Sequence, residues 1–185
     1  MDIVENQKII NEKLSNINRE GMNDLLLFLD KSDYYEAPAS SMYHLNSKGG
    51  LAQHSLNVLK VALNHNKLLA KPLDEESLTI VCLLHDVCKV NYYKENILKS
   101  GKISDAKPYL VEDKLPIGHS EKSIIILQKH LTLTDEEIML IRWHMGMFDR
   151  AYNQNESYIK KVFPEALLLH FADWFSSLYL DSVEE

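Results

Sequence analysis

The chain has 185 residues, a net charge of −7 with histidines neutral, 45% hydrophobic and 25% charged residues. That is the balance of one globular domain with a sizeable core. The acidic charge argues against a broad footprint for duplex nucleic acid, and no apolar run exceeds the short LLLFL (25–29) and SIIIL (123–127), which are too short to span a bilayer. The N-terminus MDIVENQKII has no basic-then-apolar signal, so a soluble cytoplasmic protein is expected. With 6 Gly and 5 Pro among long helix-periodic stretches, the expected class is all-α. Residues 1–185 are read as a single domain, with helices in 1–30 packing on the remainder.

Residues 3–17 space Ile3, Ile10, Leu14 and Ile17 as an amphipathic helix, and 24–29 as a second, shorter one. A loop over 31–50 ends at Gly49-Gly50 and is long enough to suggest a functional role. The next helix is expected over 51–70, stopped by Lys71-Pro72, with His54 near its start. Asp74 suits the N-cap of a helix running through His85-Asp86 to about Lys89. Residues 91–116 break the helical pattern and read as a small hairpin or flap. His119 opens a helix over 120–131, and Thr134-x-x-Glu137 is a capping box before a helix over 135–145 that carries His144. A polar stretch covers 149–157, residues 158–163 read as helical, and Pro164 suits the first position of a last helix to about residue 180, with Asp173 as its one interior acid.

The stretch IVCLLHDVCKV (80–90) is apolar on nearly every helical face, so it is buried. An imidazole and a carboxylate there are expensive unless paired, hydrogen-bonded or metal-bound. Four residues stand out as partners: His54, His119, His144 and Asp173. Each interval between them holds about one helix and a connection, so the donors converge inside a bundle, a common place for metal sites. Imidazole and carboxylate without paired thiolates suit Mn, Fe, Co, Ni or Zn. Four histidines and two acids exceed one four-coordinate site, so one or two divalent ions are expected, two being bridged by a carboxylate. Cys82 and Cys88 face different directions and read as core thiols rather than a disulfide or a thiolate zinc site.

The order His … His-Asp … His … His … Asp resembles the HD-domain superfamily of metal-dependent phosphohydrolases. GGLAQHSLNV (49–58), LLHDVCKV (83–90), LPIGHSEKS (115–123), IRWHMG (141–146) and EALLLHFAD (165–173) look like its motif blocks. They resemble small HD hydrolases of bacteria and phages, and more distantly the HD domain of 3′-5′ exoribonucleases. The resemblance covers roughly residues 33–180. It implies an all-α bundle with the metal in the helical core. By position, His54, His85, Asp86 and Asp173 match the basic metal set. His119 and His144 match the additional histidines of two-metal members, with Asp86 as the bridge. Some of those relatives carry His-His where this chain has His144-Met145. Lys89 matches the lysine that follows His-Asp in many members and would hold a phosphate oxygen. The alternative, a lysine favouring the dipole at a helix C-terminus, is the weaker reading.

Lys122 and Arg142 are weaker substrate contacts, and a solvated surface role suits each better. His170 reads as a hydrogen-bonded core histidine or an orienting partner of a ligand. His44, His65 and His130 read as non-ligands; His65 lies about 16 Å along its helix from His54. Tyr34, Tyr35, Tyr92, Tyr93 and Tyr109 fall in loops that either pack locally or roof the site. The expected reaction is hydrolysis of a phosphoester or phosphoanhydride by metal-activated water. The expected substrate is a nucleotide or other small phosphorylated molecule, with a short single-stranded nucleic-acid end as the alternative. A nucleotide sensor that keeps metal without turnover, and a purely structural bundle, are the competing readings.

Overall fold

A computed structural model describes residues 2–181. Among these residues eight α-helices are formed: α1 (Ile3–Ser15), α2 (Met22–Lys31), α3 (Gly50–Asn66), α4 (Glu75–Leu84), α5 (His119–Leu127), α6 (Asp135–Trp143), α7 (Arg150–Val162) and α8 (Ala166–Tyr179). Strands β1 (Tyr93–Glu95) and β2 (Tyr109–Val111) pair antiparallel, with Lys94 opposite Leu110. The fold is therefore an all-α bundle with a small hairpin inserted between α4 and α5, as the sequence led us to expect.

The helix starts follow their capping residues. Asp2 accepts from the Glu5 N–H at α1, and Asp74 accepts from the Ser77 N–H at α4. Thr134 and Glu137 complete the capping box at α6. α3 is the central helix. It packs against α1, α4 and α8, and α8 also packs against α6. One apolar cluster runs from Ile10 on α1 through Val58, Leu83 and Ile141 to Ala172 on α8. α1 joins it through Ile10 and Leu14, one helical turn apart.

Five expectations need correction. α3 ends at Asn66, short of Lys71-Pro72, because the Asn66 side chain bonds both the N–H and the carbonyl of Leu73 and turns the chain there. α5 ends at Leu127 rather than continuing to residue 131. The polar stretch 149–157 is itself helical: α7 starts at Arg150, capped by Asp149, and buries only Tyr152 and Ile159, too sparse an apolar stripe to show as periodicity. α8 starts at Ala166, so Pro164 lies before the helix rather than in its first turn.

The fifth, the end of α4, matters most for the site. α4 does not run to Lys89. It stops at Leu84, with His85 as C-cap. Asp86 leaves helical geometry at φ −103° and ψ 17°, and residues Val87–Lys89 form a 3-10 turn. The His85 Nδ1–H donates to the Cys82 carbonyl at 2.9 Å, replacing the helical bond that carbonyl would otherwise accept.

Candidate metal centre

Two helix ends build the site in the same way. His85 caps α4 and His144 caps α6. Each uses Nδ1 on the carbonyl three residues back, Cys82 at 2.9 Å and Ile141 at 2.7 Å. That fixes the ring and leaves Nε2 free. Both Nε2 atoms are fully buried and have no hydrogen-bond partner among the described residues. The two rings meet edge to face with centroids 5.0 Å apart. His144 is steadied further by the His170 Nδ1–H, which donates to its carbonyl at 2.8 Å.

His54, in the middle of the bundle on α3, faces two acids. Its Nδ1 lies 2.6 Å from Asp181 Oδ2, and the Asn57 amide donates to the other Asp181 oxygen at 2.7 Å. Its Nε2 lies 3.1 Å from Asp173 Oδ1 on α8, out of line for a good hydrogen bond. Asp181 thus orients His54 as a carboxylate behind a ligating histidine does.

Asp86 sits at the crossing point. Its Oδ1 lies 2.5 Å from His119 Nε2 and 3.7 Å from His144 Nε2. Its Oδ2 lies 2.6 Å from Lys89 Nζ and 3.5 Å from His85 Nε2. Lys89 also donates to the Ala39 carbonyl at 2.6 Å, which ties it to the 31–50 loop. Among the described residues four groups of donors follow, each with ligand atoms within 4.8 Å of one another: His44, His54 and Asp181; His54, His85 and Asp173; His85, Asp86 and His144; and Asp86, Cys88 and His119. All six residues expected to bind metal are therefore brought together.

The electrostatics fit a site that collects charge. Burial alone would push the Asp86 carboxyl up, but Lys89, His85 and His119 outweigh it and hold it well below the usual carboxylate range. Asp173 is also depressed, because His54 outweighs its burial. Burial lowers His85 to about 4, so it stands neutral with a lone pair available. Burial opposes protonation of His54 and His119 too, but Asp173 and Asp181 raise the first to about 9 and Asp86 raises the second to about 10. Asp86 outweighs the burial of Lys89 and keeps its ammonium charged.

A cavity of about 470 Å³ opens onto these groups. Asp86, Lys89, His119, His144 and Asp173 line it, together with the apolar or aromatic Phe148, Trp174, Leu178 and Tyr43. Lys89 thus faces the cavity. Lys122 and Arg142 do not. Lys122 pairs with Asp113 at 2.5 Å and lies over the Tyr92 ring. Arg142 pairs with Asp149 and with Glu121 at 3.0 Å and stacks on Trp143. Of the tyrosines, Tyr34 is a core residue whose hydroxyl donates to the Leu83 carbonyl, while Tyr92, Tyr93 and Tyr109 form an edge-to-face row at the hairpin.

Sequence reasoning missed three residues at the site. Asp181 follows α8 in an acidic tail, DSVEE, where nothing marks one acid over another. His44 lies in the long loop, yet its ring packs 5.1 Å from that of His54 and its buried Nε2 has no partner. Cys88 sits two residues beyond Asp86, where a continuous helix would have turned it away; the 3-10 turn brings it to His119 instead.

The helical bundle thus encloses a buried cluster of histidines and aspartates whose donor atoms are close enough to hold a metal ion. A model of the HD domain family matches residues 51–178, and the chain belongs to that family. HD domains are metal-dependent phosphohydrolases as a class, and the donors here fit a divalent ion: among the described residues the buried Nε2 atoms of His54, His85 and His144 have no hydrogen-bond partner. No curated protein and no solved structure matches the chain.

Proposed function

We propose that this protein hydrolyses a phosphoester or phosphoanhydride bond of a nucleotide or similar small phosphorylated molecule, using one or two divalent transition ions. The observation that carries the reading is the convergence of the His54, His85 and His144 Nε2 atoms, unpartnered in the protein interior, on Asp86 and Asp173 beside an open cavity. A buried polar atom without a partner is costly, and an ion satisfies all three at once. His54, His85, Asp86 and Asp173 would hold the first ion. The second oxygen of Asp86, with His119 and His144, would hold another. Ions in these positions supply Lewis acidity to the phosphoryl group and make water nucleophilic near neutral pH.

The chain's own residues do the remainder. Asp86 divides its two oxygens between the His85 and His119 sides and so fixes their separation. Asp181 and the carbonyls of Cys82 and Ile141 hold three imidazoles in the ligating orientation before any ion arrives. Lys89, charged and facing the cavity, binds a phosphate oxygen and stabilises charge that develops on it. Phe148, Trp174 and Leu178 offer an apolar wall that suits a base or another flat group.

The test is release of phosphate and nucleoside from deoxynucleotides, monophosphates, cyclic nucleotides and short oligonucleotides with Mn, Co, Ni, Zn or Mg. Wild type and Asp86→Ala are compared. The expected result is metal-dependent turnover of at least one small phosphorylated substrate by wild type, lost in Asp86→Ala. Equal rates in both proteins would refute the site. Turnover confined to oligonucleotides would move the substrate to nucleic-acid ends, and metal binding without turnover of any class would favour a sensor.

A further inference from the structure

Beside Asp86 and His119 lies a donor that the phosphohydrolase reading leaves unused. Cys88 Sγ lies 3.4 Å from His119 Nδ1 and 3.6 Å from Nε2. Its sulfur, a His119 nitrogen and an Asp86 oxygen lie within 4.8 Å of one another. Metal–sulfur bonds of about 2.3 Å and metal–nitrogen bonds of about 2.0 Å at tetrahedral angles place sulfur and nitrogen about 3.5 Å apart. The Cys88 to His119 Nε2 spacing is therefore that of two ligands on one ion. A separate observation points to the same place. His144 Nε2, fully buried and without a partner among the described residues, lies 3.7 Å from Asp86 Oδ1, the oxygen that faces His119. The position of Cys88 is also fixed, since its backbone N–H donates to the buried Ser123 hydroxyl at 3.2 Å.

We propose that Cys88 is a thiolate ligand of the second ion, which it shares with Asp86 and His119. This rests on the two-ion form of the proposed function. On binding, the S–H bond breaks, the sulfur lone pair forms the bond to the ion, and the proton passes to solvent; nothing is oxidised or reduced. A sulfur donor shifts the second position toward zinc, iron or cobalt and away from manganese and magnesium, whereas the first position, with only imidazole and carboxylate, keeps no such bias. The bland reading is that Cys88 is a small buried apolar residue that happens to touch His119.

Titration of metal-free protein with Co²⁺, followed by near-ultraviolet absorption, separates the two. The expected result is two cobalt ions per chain, the second bringing a thiolate-to-cobalt charge-transfer band. Cys88→Ser should lose that band and bind the second ion more weakly. Cys82→Ala, whose thiol belongs to none of the donor groups among the described residues, should keep it. Cobalt X-ray absorption on the unaltered protein gives the same answer without any variant, as a sulfur neighbour at roughly 2.3 Å. A single bound cobalt, two cobalts with no sulfur signal, or a band that survives Cys88→Ser would each overturn the proposal. The band without turnover of any phosphorylated substrate would leave the thiolate site standing and remove the hydrolase; turnover without the band would do the reverse.

Discussion

At the scale of single residues, the site works by leaving one nitrogen of each core histidine unused. His85 and His144 spend Nδ1 on a backbone carbonyl and His54 spends it on Asp181. Lys89 then sets the charge of Asp86. Replacing Lys89 by Met should reduce kcat on the substrate found by screening about 10²-fold, the usual effect of losing one charge-stabilising donor. Lys89→Arg should recover part of it, and steady-state kinetics read both. Equal kcat in wild type and Lys89→Met would show that Lys89 only braces the loop through Ala39. Gly146 supports the same site from outside. It has φ +48°, and a Cβ there would stand 2.4 Å from the His170 ring that holds the His144 carbonyl. Gly146→Ala should cost about 1–3 kcal/mol by urea unfolding, from backbone strain and displacement of His170. Gly101→Ala, at φ +80° with open space around it, should cost less and leave metal affinity untouched.

At the scale of elements, the decisive event is the end of α4. Read as a sequence, IVCLLHDVCKV looks like an uninterrupted buried helix, because apolar residues surround the pair on every side. What ends the helix is a side-chain bond from His85 to Cys82, which no periodicity records. The pair itself, its four partners and Lys89 were legible, since costly polar residues in apolar helices stand out. Asp181, His44 and Cys88 were not, because two lie outside helices and the third depends on the break. The same contrast holds elsewhere. The capping box at Thr134 was legible, but not that its Glu137 is fully buried and paired with Arg19 at 2.6 Å across the bundle. Arg19 also donates to the Thr132 carbonyl, so it joins the α1–α2 connection to the start of α6. Arg19→Leu should destabilise by about 3–5 kcal/mol, because it leaves a buried carboxylate unpaired. Adding Glu137→Leu should restore much of that loss in denaturant unfolding. Additive losses in the double variant would show that Glu137 matters for capping rather than pairing.

At the scale of the whole molecule, the cluster makes stability depend on pH and on metal. In the unfolded chain histidines titrate near 6.5. Folded His54 and His119 hold their protons to about 9 and about 10, so above pH 6.5 the folded state binds more protons than the unfolded one. Their contribution is complete below 6.5 and is lost as pH rises through 9 to 10. Burial holds His44 and His85 near 4, so below 6.5 the unfolded chain binds more protons and stability falls with acid. Metal-free protein in chelator should therefore be most stable near pH 6.5, by urea midpoint. A bound ion needs unprotonated imidazoles, so the stabilisation that metal adds should grow across the window in which the metal-free protein weakens. A urea midpoint without metal that rises steadily from pH 6.5 to 9 would contradict this charge assignment.

The proposed function requires that the buried histidines and aspartates hold metal. Elemental mass spectrometry of purified wild type and Asp86→Ala, with folding of each checked by circular dichroism, measures that directly. The prediction is one or two transition ions per wild-type chain, and fewer in the folded variant that has lost the shared carboxylate. Wild type free of metal after incubation with Mn, Co, Ni or Zn, or a folded Asp86→Ala with undiminished metal, would contradict it.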